Sequence, residues 1–287
     1  MNRRRFLHAT GAGAVSLVNF PHHLFAAAKA KNATDRVLLG PRKIPVSRMA
    51  MGTGTVGFGG SSNQTRKLGY KGISELLKAA YDQGVTFWDS ADAYGSHTYL
   101  REALKSVPRD KVTILSKTQA TTADRMKSDL DRFRKELGTD YIDILLLHVQ
   151  QAPDWNIRQR PVMDVISEAR EKGIVRTHGV SCHTLGALKA AAAEPWVEVD
   201  LARLNPAGMI MDSDPQTVIS VLKQMKAAGK GVIGMKILGQ GGLRGKIDEA
   251  LQYATAQDVL DCFTIGSESR DEFQDLLKKI PAASVRG

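Results

Sequence analysis

The sequence predicts an α/β fold, a closed (β/α)8 TIM barrel that is preceded by a β-hairpin. Apolar, β-rich runs alternate with helical stretches through eight strand–helix units, which is typical of a parallel sheet that closes on itself. No linker or change of composition divides residues 31–287, so we predict one domain. The 257 residues of that segment match the usual barrel length of about 250 residues. A doubly wound open sheet is the alternative fold.

The predicted elements follow one another with short connections. Apolar runs at residues 37–40 and 43–46 flank a Gly-Pro turn, which predicts the hairpin. The eight strands are predicted at residues 47–52, 85–89, 112–117, 141–148, 175–182, 197–204, 231–238 and 262–266. The eight helices are predicted at residues 73–80, 99–106, 123–137, 161–172, 185–193, 216–228, 247–256 and 270–279.

Residues 1–30 have the three parts of a twin-arginine export signal in order. A twin-arginine pattern at residues 3–7 precedes a weakly apolar run at residues 9–20 and a stretch of small residues at 26–30. This order predicts recognition by the Tat export machinery, cleavage after Ala28 or Ala30, and a periplasmic mature protein. The alternatives are a disordered basic tail and an uncleaved anchor. No other stretch reaches the roughly 18 apolar residues of a membrane span.

Composition excludes several classes of function. Loss of the basic signal lowers the formal net charge from +10 to +6, and acidic residues occur throughout the mature chain. The aromatic and basic residues do not interleave as they do in a nucleic-acid groove, so we predict no nucleic-acid partner. Cys182 and Cys262 are too few for a disulfide framework or a zinc site, and we predict two buried thiols. A disulfide between them is the alternative.

Four polar residues stand at the ends of three neighbouring predicted strands. Asp89 ends the second strand and Tyr94 follows in the next loop, while Lys117 and His148 end the third and fourth strands. In barrels of this kind the chemistry lies at the carboxyl ends of the strands. Singly, each residue has an ordinary structural role: a helix cap, a packed aromatic ring, a rim lysine and a core histidine. Together they predict one active site.

The chemistry of this set suits carbonyl reduction. A tyrosine phenol has a reference pKa of about 10, and a nearby ammonium stabilises its phenolate form. A carboxylate that pairs with the lysine keeps it charged and in place. A histidine can orient a carbonyl oxygen or assist proton transfer. The set could therefore protonate a carbonyl oxygen while a nicotinamide delivers hydride to the carbon.

These residues lie in motifs that resemble the aldo-keto reductases over nearly all of the mature chain. The matching stretches are residues 89–95, 116–117, 143–148, 173–176, 179–181 and 265–267. The resemblance implies a (β/α)8 barrel, an NAD(P)H cofactor and reversible reduction of an aldehyde or ketone. It also implies roles: Tyr94 as general acid and base, Lys117 lowering the pKa of Tyr94, Asp89 pairing with Lys117, and His148 positioning the carbonyl.

The resemblance assigns a cofactor site whose residues depart from the commonest pattern. Cys182 stands where the family often has asparagine, Leu201 replaces a usual glutamine, and Met235 replaces the aromatic residue that stacks on nicotinamide. The predicted cofactor-binding residues are Ser181, Cys182, Met235, Lys236, Gly239, Gly266, Ser267, Ser269 and Arg270. Near the adenosine ribose, Glu272 favours a free hydroxyl and Arg270 favours a 2′-phosphate. The resemblance favours NADP(H) slightly over NAD(H).

Two other functions stay open. The altered cofactor positions are compatible with a nucleotide-sensing or partner-binding protein that has little turnover. A metal-dependent hydrolase could use Asp89, His148 and His183 as ligands, but the first strand has no His-x-His and we predict no metal. Phe58 and Trp155 are candidate walls of an open substrate pocket, and the substrate is expected to be a small carbonyl compound.

Overall fold

An antiparallel hairpin closes the amino-terminal end of the barrel. The computed structural model describes residues 30–285, so the predicted export signal lies outside the described residues apart from Ala30. Strands β1 (Arg36–Leu39) and β2 (Ile44–Ser47) pair directly, which confirms the predicted hairpin. Gly40 turns the chain with a φ of 63°, and a Cβ there would lie 3.1 Å from the carbonyl oxygen of Glu198. The hairpin therefore packs tightly against the barrel floor.

Eight parallel strands form the closed barrel that the alternating pattern predicts. Their order around the barrel follows the chain, and the last strand pairs with the first. The barrel strands are β3 (Met49–Gly52), β4 (Phe87–Asp89), β5 (Thr113–Thr118), β6 (Ile142–Gln150), β7 (Val175–Cys182), β8 (Val199–Arg203), β9 (Gly231–Met235) and β10 (Cys262–Ile265). A doubly wound open sheet is thereby excluded.

Helices surround this barrel on the outside. They are α1 (Asn63–Asp82), α2 (His97–Leu104), α3 (Ala123–Leu137), α4 (Trp155–Arg158), α5 (Arg160–Glu171), α6 (Leu185–Ala193), α7 (Pro215–Ala227), α8 (Ile247–Ala256) and α9 (Arg270–Ser284). Helix α4 is a short addition that the sequence did not predict. Helix α1 begins ten residues earlier than predicted, because Ser62 and Thr65 form a capping box at its start. Gly69, which has a φ of 61°, kinks it.

The carboxyl ends of the strands determine the positions of the functional residues, and the end of β9 differs most from the prediction. It ends at Met235 rather than at residue 238, because Lys236 adopts a left-handed backbone with a φ of 58°. The strand therefore stops where the chain turns across the top of the barrel. Gln240 and Gly241 continue the turn, again with positive φ values.

Apolar side chains fill two layers, one inside the barrel and one between the barrel and the helices. Both cysteines are free and buried, as predicted. Cys182 lies in the outer layer, and Cys262 belongs to the inner cluster. Within residues 30–285 the structure contains no helix with the length and apolar character needed to cross a membrane.

Candidate active site

The carboxyl ends of β4, β5 and β6 bring the four predicted catalytic residues together. Asp89 is the last residue of β4, Lys117 lies in β5 and His148 lies in β6. Tyr94 lies in a 3₁₀ turn, Asp92–Tyr94, directly after β4. These strands are neighbours in the barrel, so their ends lie side by side at one rim.

A buried ion pair between Lys117 and Asp89 forms the base of the site. The Lys117 ammonium donates to Asp89 Oδ1 and, at 2.8 Å, to the carbonyl oxygen of Ser90. The Thr264 hydroxyl donates to the other Asp89 oxygen at 2.9 Å. Burial alone lowers the pKa of Lys117, but Asp89 and then Tyr94 raise it above its ordinary value. Lys117 therefore stays an ammonium ion although it is fully buried.

Tyr94 lies above this pair with its phenol protonated. The Lys117 ammonium is 4.7 Å from the centre of the tyrosine ring. Burial raises the pKa of the Tyr94 phenol, and Lys117 offsets part of that increase. The expected lowering by Lys117 is thus present, but burial outweighs it. A phenol that keeps its proton at neutral pH can donate that proton to a substrate.

His148 completes the arrangement as a neutral imidazole. Its ring stands nearly perpendicular to the Tyr94 ring, at 81°, with the ring centres 5.6 Å apart. Burial and then the charges of Lys117, His183 and Lys236 hold the pKa of His148 well below its usual value. Its buried Nδ1 has no hydrogen-bond partner. A neutral imidazole at this place can donate to a carbonyl oxygen without carrying a charge of its own.

The loop after β3 holds the tyrosine ring in place. Gly52, Gly54 and Gly57 have Gly-x-Gly-x-x-Gly spacing after a strand, but they do not surround a helix start. A Cβ on Gly54 would lie 2.1 Å from the Tyr94 ring, and one on Gly57 would lie 2.3 Å from it. These two glycines therefore give the ring its space, a role that the sequence analysis missed.

We expect Gly54→Ala to lower kcat/KM about 100-fold, because a displacement of about 1 Å in a catalytic group can have that effect. The backbone of Gly54 has an ordinary φ, so the substitution should leave the fold intact. Gly245→Ala is the matched control, because a Cβ there meets nothing within 4 Å. Steady-state kinetics with thermal unfolding of both variants would test this. Full activity in Gly54→Ala would contradict the close packing of the ring.

An elongated cleft of about 280 Å³ runs from Tyr94 across the top of the barrel to the start of α9. Its inner end contains Asp89, Tyr94, Leu201 and Met235. The other lining residues are Gly52, Gly54, Thr55, Lys236, Ile237, Leu238, Gln240, Gly241, Arg244, Ile247, Thr264, Ile265, Gly266, Ser267, Glu268, Glu272, Asp275 and Leu276. A cleft of this shape can hold an extended molecule whose reactive end lies beside the tyrosine.

Of the predicted cofactor-binding residues, Met235, Lys236, Gly266 and Ser267 line this cleft. The other five do not, and each has a different place. Ser181 is fully buried and accepts a hydrogen bond from the Val149 N–H at 3.0 Å, and Cys182 lies in the outer core. Gly239 is buried, Ser269 caps the start of α9, and Arg270 is exposed on that helix.

The outer end of the cleft is acidic. Glu268, Glu272 and Asp275 line it, together with Arg244. The Glu268 side chain is only 6% exposed and binds three groups: the Lys67 ammonium, the Arg244 guanidinium at 3.3 Å, and the Asn63 amide at 2.7 Å. Both nearby cations are thus already paired with Glu268. The sequence analysis considered Glu272 but missed Glu268 and Asp275.

The model of the Aldo/keto reductase family matches residues 50–283, which include every barrel strand and the four clustered residues. The chain belongs to the aldo-keto reductase family. Its similarity to the aldo-keto reductase YhdN of Bacillus subtilis is 30% identity over 155 residues, 48% of this chain and 44% of that protein. The NADH-specific methylglyoxal reductase of Escherichia coli is 24% identical over 169 residues, 51% of each chain. The chain thus spans about half the length of these curated relatives.

Solved structures agree with the fold of this aldo-keto reductase family member. The holo form of an aldo-keto reductase from Bacillus halodurans superposes with a TM-score of 0.69 at 17% identity, over 86% of this chain and 91% of that one. At this identity the likeness concerns the fold.

The two aromatic residues considered as pocket walls do not line the cleft of this family member. Phe58 is 78% exposed on the loop after β3. Trp155 is buried at the start of α4, where its indole N–H donates to the carbonyl oxygen of Ala187 at 3.1 Å. Trp155 therefore serves the core, because the unpredicted helix α4 turns its side chain inward.

The metal ligands considered for a hydrolase do not come together either. Within residues 30–285, the group with suitable ligand spacing is Asp92, His97 and Glu136, not Asp89, His148 and His183. Arg132 already donates to both carboxylates of that group, at 2.7 Å to Asp92 and 3.1 Å to Glu136. The positive charge there is a guanidinium, so we read this group as a salt-bridge network.

Proposed function

We propose that this family member is an NAD(P)H-dependent carbonyl reductase that converts an aldehyde or ketone into an alcohol. One observation carries this proposal: a protonated Tyr94 lies at the inner end of a long cleft, with its ring centre 5.6 Å from that of a neutral His148 and above the buried Lys117–Asp89 pair. The ends of three neighbouring strands and the turn after the first of them supply all four residues. Leu201 and Met235 form an apolar wall near Tyr94 in the cleft.

Each residue has a distinct task in this proposal. The Tyr94 phenol gives its proton to the carbonyl oxygen as negative charge develops there. The Lys117 ammonium stabilises the phenolate that remains, and Asp89 keeps that ammonium charged and fixed. The neutral His148 imidazole donates a hydrogen bond that orients the carbonyl oxygen. The alcohol is then released, and Tyr94 regains its proton.

The residues of the cleft fit a nicotinamide dinucleotide. The Ser267 hydroxyl lines the cleft and is buried without a hydrogen-bond partner, which suits a ligand oxygen. Among residues 30–285, the Lys236 ammonium has a single hydrogen-bond partner, the Gln240 amide oxygen at 3.1 Å. Met235 and Leu201 would flank the nicotinamide ring, Met235 through its thioether. Bound there, the dinucleotide would supply the hydride.

We propose NADH as the preferred form, in place of the NADP(H) that the resemblance slightly favoured. Carboxylates repel a 2′-phosphate, whereas they accept hydrogen bonds from a free ribose hydroxyl. Three carboxylates line the outer cleft with one cation, Arg244, which is already paired with Glu268, and Arg270 lies outside the cleft. The name of the NADH-specific relative from Escherichia coli is consistent with this preference.

We expect Glu268→Gln to tighten NADPH binding at least tenfold, which corresponds to about 1.4 kcal/mol. The substitution removes one negative charge and releases Lys67 and Arg244 for a 2′-phosphate. The affinity for NADH should change much less. Fluorescence titration with both nucleotides would measure this, and Asp271→Asn is the control because Asp271 is exposed outside the cleft. An unchanged ratio of the two affinities would refute the role of Glu268.

The assay for the proposed function is oxidation of NADH by the purified residues 31–287 in the presence of aldehydes and ketones. A carbonyl-dependent loss of absorbance at 340 nm supports the reductase. The alternative, a nucleotide-sensing or partner-binding protein, predicts tight nucleotide binding without turnover on a broad panel. Cys182, Leu201 and Met235 differ from the residues that are commonest at these cofactor positions, and these differences are compatible with this alternative.

We further infer that the mature protein is exported through the Tat machinery and works in the periplasm. Residues 3–30 carry the pattern of such a signal. Lys31 is tied to the barrel, since its backbone N–H donates to the Ser284 hydroxyl at 2.8 Å and its ammonium to the carbonyl oxygen of Thr255 at 2.6 Å. Mass spectrometry of the periplasmic fraction should find a chain that begins at Lys29 or Lys31. Full-length protein confined to the cytoplasm would refute export.

A further inference from the structure

Four basic or imidazole side chains follow four consecutive barrel strands on one side of the site. His148 lies in β6, His183 follows β7, Arg203 ends β8 and Lys236 follows β9. Backbone contacts hold the last two segments together: the Leu204 N–H donates to the carbonyl oxygen of Met235 at 3.0 Å. This half of the rim therefore carries cationic groups beside the proposed proton donor.

The charges at this rim do not balance. Lys117 pairs with Asp89, and Arg203 pairs with Asp212, whose side chain is fully buried. Lys236 forms no ion pair within residues 30–285, and its ammonium contacts the neutral Gln240 amide. Burial, and then the charges of Arg203 and Lys117, lower the pKa of Lys236. One positive charge is therefore left without a carboxylate.

Arg203 also keeps one unused donor, its Nε–H. Residues of β8 alternate across the sheet, and Leu201 faces the cleft, so Arg203 lies on the same face one step nearer the mouth. Its side chain is 8% exposed and donates through Nη2 to Asp212 at 2.5 Å. Its Nε is buried without a partner. A buried guanidinium N–H without an acceptor is costly, and a ligand oxygen would satisfy it.

His183 lies at the same rim, between β7 and α6. Its backbone N–H donates to the carbonyl oxygen of Gln150 at 2.8 Å, which fixes it beside His148. Burial and then the charges of Arg203 and Lys236 lower the pKa of its imidazole to about 4. Arg203 and Lys236 also lie near each other, because Arg203 is paired across the sheet with Met235, the residue before Lys236. The imidazole stays neutral, so it adds a hydrogen-bond donor to the cluster without further positive charge.

We propose that the substrate is a carbonyl compound that carries a carboxylate or a similar single negative charge, bound by Arg203 and Lys236. This inference rests on the proposed reductase function and names the class of its substrate. The anion would neutralise the excess charge on Lys236 and accept a hydrogen bond from the unpartnered Nε–H of Arg203. The carbonyl group would then reach Tyr94 and His148 across the mouth of the barrel.

The same cations could instead meet the pyrophosphate of the dinucleotide, because Lys236 lines the cleft. We favour the substrate because a pyrophosphate that lies along the cleft would contact the residues that line it, and Arg203 is not one of them, so its Nε would stay without a ligand. Arg203 is absent from the residues that line the cleft, whereas Arg244 and Lys236 lie along it. Measuring the affinity for a charged substrate analogue separately from the affinity for NADH distinguishes the two sources of negative charge.

The test is the affinity of the NADH-saturated protein for 4-(hydroxymethyl)benzoate and for its methyl ester, measured by calorimetry. The two alcohols differ in one charge and do not react with NADH, so the measurement does not depend on turnover. We expect the carboxylate to bind at least about tenfold more tightly. Arg203→Met and Lys236→Met should reduce this ratio to about threefold or less. Lys223→Met is the control, because Lys223 is exposed on α7.

The outcomes are distinct. Equal affinities in the wild type, or a ratio that Arg203→Met and Lys236→Met change no more than Lys223→Met does, would overturn the proposal. If Lys236→Met binds NADH more weakly but keeps the ratio of carboxylate to ester affinity, the Lys236 ammonium binds the pyrophosphate. That result would also overturn the proposal. An intact ratio with no reduction of 4-carboxybenzaldehyde or its methyl ester would support the anion site and count against the reductase function. Reduction of both aldehydes without a preference for the charged one would support the reductase function and count against the anion site.

Discussion

Tyr94→Phe is expected to lower kcat/KM for carbonyl reduction by a factor of about 100 to 10,000, the usual contribution of a positioned general acid. The substitution removes the proton donor and keeps the ring that Gly54 and Gly57 enclose. Because the ring stays, the fold and the affinity for NADH should change little. Stopped-flow measurement of NADH oxidation, with a separate titration of NADH binding, distinguishes the two effects.

Tyr99→Phe is the matched control for this experiment. Tyr99 lies on α2, where its ring packs against Tyr70 with ring centres 4.9 Å apart, outside the cleft. It should keep full activity. A Tyr94→Phe variant that retained more than about a tenth of the wild-type kcat/KM would remove the phenol from the mechanism. Loss of NADH binding in that variant would mean that Tyr94 supports the cleft rather than the chemistry.

Lys117→Met is expected to lower the free energy of unfolding by about 3–5 kcal/mol, the usual effect of removing one partner from a buried ion pair. Asp89, whose side chain is 8% exposed, would keep only the Thr264 hydroxyl as a donor. The variant should also be inactive, because it lacks the ammonium that stabilises the Tyr94 phenolate in this proposal. Urea denaturation followed by circular dichroism would measure the stability change.

The double variant Asp89→Asn, Lys117→Met is the control for the buried charge. Asparagine brings no charge into the core, so the double variant should recover a part of the stability that Lys117→Met loses. It should stay inactive, because the ammonium is still missing. A Lys117→Met variant within about 1 kcal/mol of the wild type would show that Asp89 takes up a proton or water at little cost.

The strand-end rule explains why most of the site could be predicted. Lys117 and His148 interrupt apolar strands, and residues of that kind in a parallel barrel meet at one rim. The same rule applied to β8 would have found Arg203, which ends that strand in the same way. Arg203 was missed because the predicted strand extended to residue 204, which placed Arg203 inside the strand rather than at its end.

Other features depend on contacts that no local pattern encodes. The space that Gly54 leaves for Tyr94 joins two loops, and a glycine-rich loop by itself indicates only flexibility. The ion pairs of Glu268 join it to Lys67 in α1 and to Arg244 after β9, two residues that are far from it in the sequence. Cys182 was assigned to the cofactor by its place in a motif, but the alternation of β7 turns its side chain toward the helices.

The most direct test of the proposed function is transfer of deuterium from reduced nicotinamide to a carbonyl carbon. Purified residues 31–287 would be incubated with 4-deuterated NADH, deuterated at both positions, and 4-carboxybenzaldehyde, and the products would be examined by mass spectrometry and proton NMR. We predict an alcohol with one deuterium on the carbinol carbon, formed by the wild type and lost in Tyr94→Phe. Tight binding of NADH without deuterated alcohol from this or any other aldehyde or ketone would contradict the account.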